Sequence, residues 1–200
     1  MDTWFFEKEA TQKGYKNIAG IDEAGRGPLA GPVVSAAVIL PDDFSMTGVT
    51  DSKKLTPAKR ERLYGPIYIH AVSVGIGIVD PIEIDRINIL QASLLSMAMA
   101  AENLNPQPDC LLIDGTFSIS SNLPQKPITK GDTLSISIAA ASIIAKVTRD
   151  RLMECYHFYY PQFDFPRHKG YPTKAHNEAI RIFGSCPIHR RSFKGVKEYL

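Results

Sequence analysis

Two apolar runs far apart in the chain end on acids. Ile18-Ala19-Gly20-Ile21 leads into Asp22-Glu23, and Cys110-Leu111-Leu112-Ile113 leads into Asp114-Gly115. Short unbroken apolar runs of this kind belong to strands covered on both faces, which requires a sheet with helices on each side. Strand ends that share one edge of such a sheet lie close together, so Asp22 and Asp114 can converge. Carboxylates gathered at a partly dry edge repel one another, and something cationic is expected to offset that cost. Glu23 poses a difficulty, because neighbouring strand residues point to opposite faces. It can face inward beside Asp22 only if the strand has already ended, a break that Gly25 permits. Otherwise it contributes through a backbone oxygen or a water.

The remaining pattern fills in an α/β chain. A second strand is expected over Pro32 to Leu40, close enough to the first for an antiparallel hairpin. Thr56-Pro57 is a helix start, with threonine at the cap and proline at the first helical position. A third strand covers Ala71 to Val79, where Val72, Val74, Ile76 and Ile78 alternate. A helix from Asn88 to Asn103 carries Leu90, Leu94, Met97, Ala98 and Ala101 on one stripe. Pro127-Ile128-Thr129 is a brief fifth strand. A long helix runs from Thr133 to about His157, with Ile136, Ala140, Ile143, Ile144 and Val147 facing the core. A shorter helix, Thr173 to Phe183, and a basic tail close the chain. The expected architecture is a mixed five-stranded sheet flanked by helices, with residues 1–200 as one domain. Residues from about 161 to 200 form a small C-terminal helical extension.

A formal charge of only +2 excludes a generally basic nucleic-acid binder. Positive charge must instead be concentrated locally against acids clustered elsewhere. Cys110, Cys155 and Cys186 have neither zinc nor redox spacing, and Cys110 and Cys155 are expected as buried thiols in a reducing cytosol. The acidic start is unlike a signal peptide, and no apolar stretch reaches the ~18 residues of a membrane span. The expected location is the cytoplasm.

Asp132 opens the long helix and can swing toward the edge where Asp22 and Asp114 meet. Taken singly, a strand-terminal aspartate is usually a turn former, and an aspartate before Thr133 is usually a helix cap. Together with the Asp22-Glu23 pair they favour a metal site, and an all-oxygen donor set suits Mg²⁺ or Mn²⁺ better than zinc. Beside the acids, Gly25-Arg26-Gly27 lets backbone and guanidinium approach a ligand closely. The loop also fits the dinucleotide pattern G-x-G-x-x-A, but Pro28 and Pro32 bracket it and no helix opens at the glycines. Ser142, Lys146 and Arg149 fall on one helix face at i, i+4 and i+7, and with Lys53 they read as a phosphate track. Against that stands ordinary solvated charge, with Lys146 simply pairing with Asp150. Tyr171, in the turn His168-Lys169-Gly170-Tyr171-Pro172-Thr173, can stack on a sugar or base, or plug a core edge. Lys54, His168 and Arg191 complete the candidate contacts.

Seven stretches carry a family resemblance. They are Gly20 to Pro28, Asp51 to Leu55, Leu112 to Gly115, Lys130 to Asp132, Ala140 to Asp150, His168 to Thr173 and His189 to Phe193. In this order they resemble ribonuclease H of type 2, the bacterial RNase HII family. The related type 3 enzymes typically carry lysine in the glycine loop and a separate N-terminal domain, whereas Arg26 and the short N-terminus here point to type 2. The resemblance implies an RNase H-like fold. It implies hydrolysis of RNA in RNA–DNA hybrids and cleavage 5′ of ribonucleotides embedded in duplex DNA. By that likeness Asp22, Glu23, Asp114 and Asp132 are the catalytic carboxylates, and the glycine loop and Tyr171 recognise the ribonucleotide–deoxyribonucleotide junction. The expected mechanism uses two divalent ions about 4 Å apart, with Asp22 bridging them and Asp114 and Asp132 each holding one, and leaves 3′-hydroxyl and 5′-phosphate ends. A monomer is expected, and no clamp-binding peptide is evident at the C-terminus. Two rivals stay open: a resolvase- or integrase-type DNA endonuclease on the same fold, and an inactive hybrid-binding module.

Overall fold

In the computed structural model, which describes residues 2–200, the first acid-ended run is the central strand β1 (Ile18–Ala24). On one side β1 pairs antiparallel with β2 (Val33–Ile39), and β2 pairs antiparallel with β3 (Ser73–Val79). On the other side it pairs parallel with β4 (Cys110–Asp114), and β4 with β5 (Gln125–Ile128). The order is therefore β3-β2-β1-β4-β5, the mixed five-stranded sheet expected. Parallel pairing places Ile21 opposite Ile113. One step further on, Asp22 stands beside Asp114, and in-register neighbours in a sheet share a face.

Helix α6 (Ile136–Tyr159) covers that face and α4 (Ile89–Glu102) covers the other. Ala36 and Val38 pack with Ala140, Ile143 and Ile144 on the α6 side, and Ala19, Ile21 and Ile39 with Met97 and Ala100 on the α4 side. Gly20 lets α6 lie directly on β1, since a Cβ there would fall 2.2 Å from the Ser137 carbonyl carbon. Any side chain at position 20 must push the helix off the strand that carries Asp22.

Several elements differ from the sequence expectation. The long helix does not begin at Thr133. A four-residue turn, α5 (Gly131–Leu134), comes first, and the chain breaks at Ser135, whose extended backbone and hydroxyl cap α6. Asp132 therefore sits in α5, ahead of the long helix. Helix α2 (Pro57–His70) starts as read, capped by Thr56, and the same signal at Asp80-Pro81 starts the unread helix α3 (Pro81–Ile87). The N-terminal helix α1 (Phe5–Gln12) was also unread. It delivers Glu7, whose Oε1 accepts from Ser137 N–H at 3.1 Å and from the hydroxyls of Ser135 (2.5 Å) and Ser137 (2.6 Å). A buried carboxylate thus completes the N-terminus of α6, where the helix dipole favours negative charge.

The C-terminal stretch contains α7 (Phe165–His168) and α8 (Lys174–Phe183). Phe163, Phe165, Ile180, Ile188 and Val196 pack there with Leu29 and with Met153 of α6. Cys110 and Cys186 are buried, but Cys155 is exposed, because it lies on the outer face of α6 near its end. Among the described residues no helix is long and apolar enough to cross a membrane.

Candidate metal and nucleic-acid site

Three aspartates from three elements meet at the carboxyl end of the parallel strands. Asp22, Asp114 and Asp132 each offer an oxygen within 4.8 Å of the other two. β1 and β4 supply the first two through their register. The third is delivered by the α5 turn, which Asp114 itself secures by accepting from Gly131 N–H at 2.7 Å. Lys130, in the left-handed region at φ 59°, reverses the chain just before that turn.

Asp22 and Asp132 are almost fully enclosed, at 3% and 5% exposure. Burial, reinforced by Glu23 and Asp114, pushes the Asp22 carboxyl well above its ordinary range. Asp132 is pushed up to about 6 by burial and then by the charges of Asp114 and Asp51. One cation stands near: Lys53 Nζ is 3.8 Å from Asp132 Oδ2, on a side chain that is 75% exposed. The acids collectively outweigh the burial that opposes its charge and hold Lys53 above its ordinary value. An exposed ammonium at that distance offsets little in water. The donor set is all carboxylate oxygen, destabilised by its own repulsion and fitted to a hard divalent cation such as Mg²⁺ or Mn²⁺.

Glu23 departs from the expected break. The strand continues through Ala24, so alternation turns Glu23 to the opposite face from Asp22. Its carboxylate stays outside the three-oxygen cluster and meets Arg26 at 3.4 Å. Burial raises its pKa, with Arg26 opposing.

The expected phosphate track needs correction. Arg149 is completely buried and donates to Pro32 O, Lys169 O and Ala30 O, each at 3.0 Å. With no exposed surface, its guanidinium is closed off from a phosphate in solvent. Ser142 is 2% exposed and donates to Ser52 Oγ at 2.7 Å, so it braces the turn carrying Lys53. His168 is buried too, with Nε2 2.7 Å from Phe163 O and Nδ1 accepting from Gly170 N–H. Lys146 pairs with Asp150 at 2.6 Å, the blander of its two readings, though its Nζ also lies 6.0 Å from the centre of the Tyr171 ring. Lys54 is exposed, and Arg191 is exposed with its backbone N–H on Asp85.

The glycine loop and Tyr171 do come together. Gly27 is so near the ring that a Cβ on it would touch Tyr171 Cε1 at 3.6 Å. Tyr171 is 42% exposed. Its backbone is held from beneath: His176 Nδ1 lies 3.0 Å from Tyr171 O, His176 Nε2 lies 3.0 Å from His189 Nε2, and His189 Nδ1 accepts from Cys186 N–H. Burial lowers both imidazoles to about 4, so each is neutral and one ring nitrogen can donate to the other. Asp51 and Arg190 were not singled out from sequence. Asp51 caps the turn bearing Lys53, and its place in front of Ser-Lys-Lys was a usable signal. Arg190 is fully buried beneath the glycine loop, and nothing in the basic run His189-Arg190-Arg191 marked it as the inward one.

Comparisons agree with this geometry. The family model described as Ribonuclease HII matches residues 19–196. Ribonuclease HII of Syntrophus aciditrophicus (strain SB) is 59% identical over 189 residues, covering 94% of this chain and 89% of that protein. Ribonuclease HII of Geobacter metallireducens is 56% identical over 197 residues, covering 98% and 92%. Among solved structures, ribonuclease H2 from Pyrococcus horikoshii OT3 superposes with a TM-score of 0.77 at 28% identity, over 92% of this chain and 97% of that one. Three carboxylates converging at a mixed sheet's edge, in a chain matched almost end to end, place this protein in the ribonuclease HII family of metal-dependent endoribonucleases.

Proposed function

We propose that this chain hydrolyses the RNA strand of RNA–DNA hybrids and cuts duplex DNA on the 5′ side of a single embedded ribonucleotide, leaving 3′-hydroxyl and 5′-phosphate ends. The observation that carries the reading is the convergence of Asp22, Asp114 and Asp132 within 4.8 Å. These side chains would hold two Mg²⁺ or Mn²⁺ ions, which when bound supply an activated water and charge stabilisation for the leaving 3′ oxygen. Glu23, on the other face of β1, shapes the site from its rim and ties Arg26 to it. Lys53 reaches toward Asp132 from its exposed turn, where it can meet a phosphate as that carboxylate engages its cation. Backbone groups of Gly25-Arg26-Gly27 hydrogen-bond the 2′-hydroxyl, the group that marks RNA at one position of a duplex. Tyr171, beside Gly27, packs on the following sugar and favours one without that hydroxyl.

One assay tests the reading. The protein is incubated with Mg²⁺ and a duplex bearing one ribonucleotide, beside an all-DNA duplex of the same sequence. The expected result is a single cut 5′ of the ribonucleotide and none in the control. Equal cutting of both identifies a DNA endonuclease. Binding without any cut identifies an inactive module.

A further inference from the structure

Two guanidiniums lie buried beneath the glycine loop, and no carboxylate is among the hydrogen-bond partners of either. Arg190 donates to Gly31 O (3.0 Å), Arg26 O (3.0 Å) and Gly25 O (2.5 Å). Arg149 donates to Pro32, Ala30 and Lys169 carbonyls. Six charge-assisted bonds thus converge on backbone oxygens of one loop and one turn. Gly25 makes the approach possible: at φ 104° its Cβ would lie 2.1 Å from Arg149 Nε.

Peptide geometry then fixes what the loop shows to the outside. The bonds from Gly25 to Arg26 and from Arg26 to Gly27 are trans, so each N–H points opposite to its own carbonyl. With the Gly25 and Arg26 oxygens drawn inward by Arg190, the Arg26 and Gly27 N–H groups are turned outward. Both residues are exposed, and neither amide donates to any group among the described residues. A carbonyl that accepts from a cation also makes the N–H of its own peptide a stronger donor.

We infer that Arg190 is a positioning residue for ribonucleotide recognition: by holding two peptide planes from behind, it presents the Arg26 and Gly27 amides to the 2′-hydroxyl and adjoining phosphate of the substrate. Arg149 ties the same loop to the turn ahead of Tyr171, so that amides and ring form one rigid sensor. This rests on the function proposed above and adds to it the residue that sets its selectivity.

The test is Arg190→Lys, which keeps the charge but cannot span three carbonyls from one nitrogen. Fluorescence anisotropy in EDTA gives the affinity for a one-ribonucleotide duplex and for its all-DNA counterpart. Wild type is expected to prefer the ribonucleotide duplex. The variant is expected to lose that preference by about tenfold, the loss of a charge-assisted bond. Its affinity for all-DNA duplex and its Mn²⁺ binding stay within twofold of wild type. A folded variant with wild-type preference overturns the inference and leaves the proposed function standing; a wild type without preference also overturns the inference, while the proposed function is decided separately by selective cutting in Mg²⁺. If the variant does not fold, amide spectra of the wild type decide: Arg26 and Gly27 N–H signals should shift downfield with the ribonucleotide duplex only, and unmoved signals overturn the inference.

Discussion

Two clusters of like charge are gathered in this molecule, and their bonding differs. The guanidiniums of Arg149 and Arg190 each donate three hydrogen bonds, to six backbone carbonyls in all. The carboxylates of Asp22, Asp114 and Asp132 face one another; Asp22 and Asp114 each accept one backbone N–H, and the cation nearest Asp132 among the described residues is an exposed lysine. A buried charge whose hydrogen bonds are filled holds structure in place. One whose charge is left uncompensated is held ready for a ligand, and the fold bears the cost until that ligand arrives. The contrast separates scaffold from chemistry more sharply than charge or position in sequence does.

Breaking the filled side should cost stability first. Arg149→Leu removes three hydrogen bonds at once and leaves three carbonyls without that partner, so urea unfolding should show a loss of about 3–5 kcal/mol. A loss below about 1 kcal/mol would mean that the loop holds itself. Breaking the unfilled side should cost activity instead. Asp132→Asn is expected to lower kcat on the order of 10²–10³-fold while hybrid binding stays nearly intact, since one charge-stabilising group is removed and the binding surface is kept. Substantial turnover in Mg²⁺ would exclude Asp132 as a ligand. Between the two regions, Tyr171→Ala should weaken discrimination at the junction by roughly 1–3 kcal/mol, the worth of one stacking contact. Cutting of long hybrids should suffer less, and equal losses on both substrates would remove Tyr171 from junction recognition.

A smaller effect is expected from pH. Asp132 titrates at about 6 in the folded protein against an ordinary 3.8. Between those values the folded, metal-free form binds more protons than the unfolded chain, so its stability falls as pH rises through that window. Urea midpoints measured in EDTA should decline from about pH 4 to 6 in wild type, and more weakly in Asp132→Asn. The same decline in both would place the strain elsewhere.

Much of the carboxylate site was legible because β1 and β4 are short apolar runs whose ends announce themselves. Asp132 was legible as a member of the carboxylate cluster but not in its setting, since the break at Ser135 depends on Glu7 arriving from a distant helix. The helix wheel failed at Ser142 and Arg149. It presumes that the face away from the apolar stripe meets water, but α6 is covered on that side as well, by the turn at Ser52 and by the glycine loop. A polar residue on such a face reads as surface and folds as scaffold. Glu23 shows the converse. Alternation argued that it could not join Asp22 while the strand continued, and the strand does continue.

The most direct test is the unfolding temperature of the protein in Mn²⁺ and in EDTA, for wild type and for Asp22→Asn. Metal should raise the wild-type value by several degrees. The variant in EDTA should unfold above metal-free wild type, since one repelling charge is gone, and should gain little from metal. Identical wild-type temperatures in Mn²⁺ and EDTA, with a variant less stable than wild type in both, would show that these carboxylates hold the fold together and no cation.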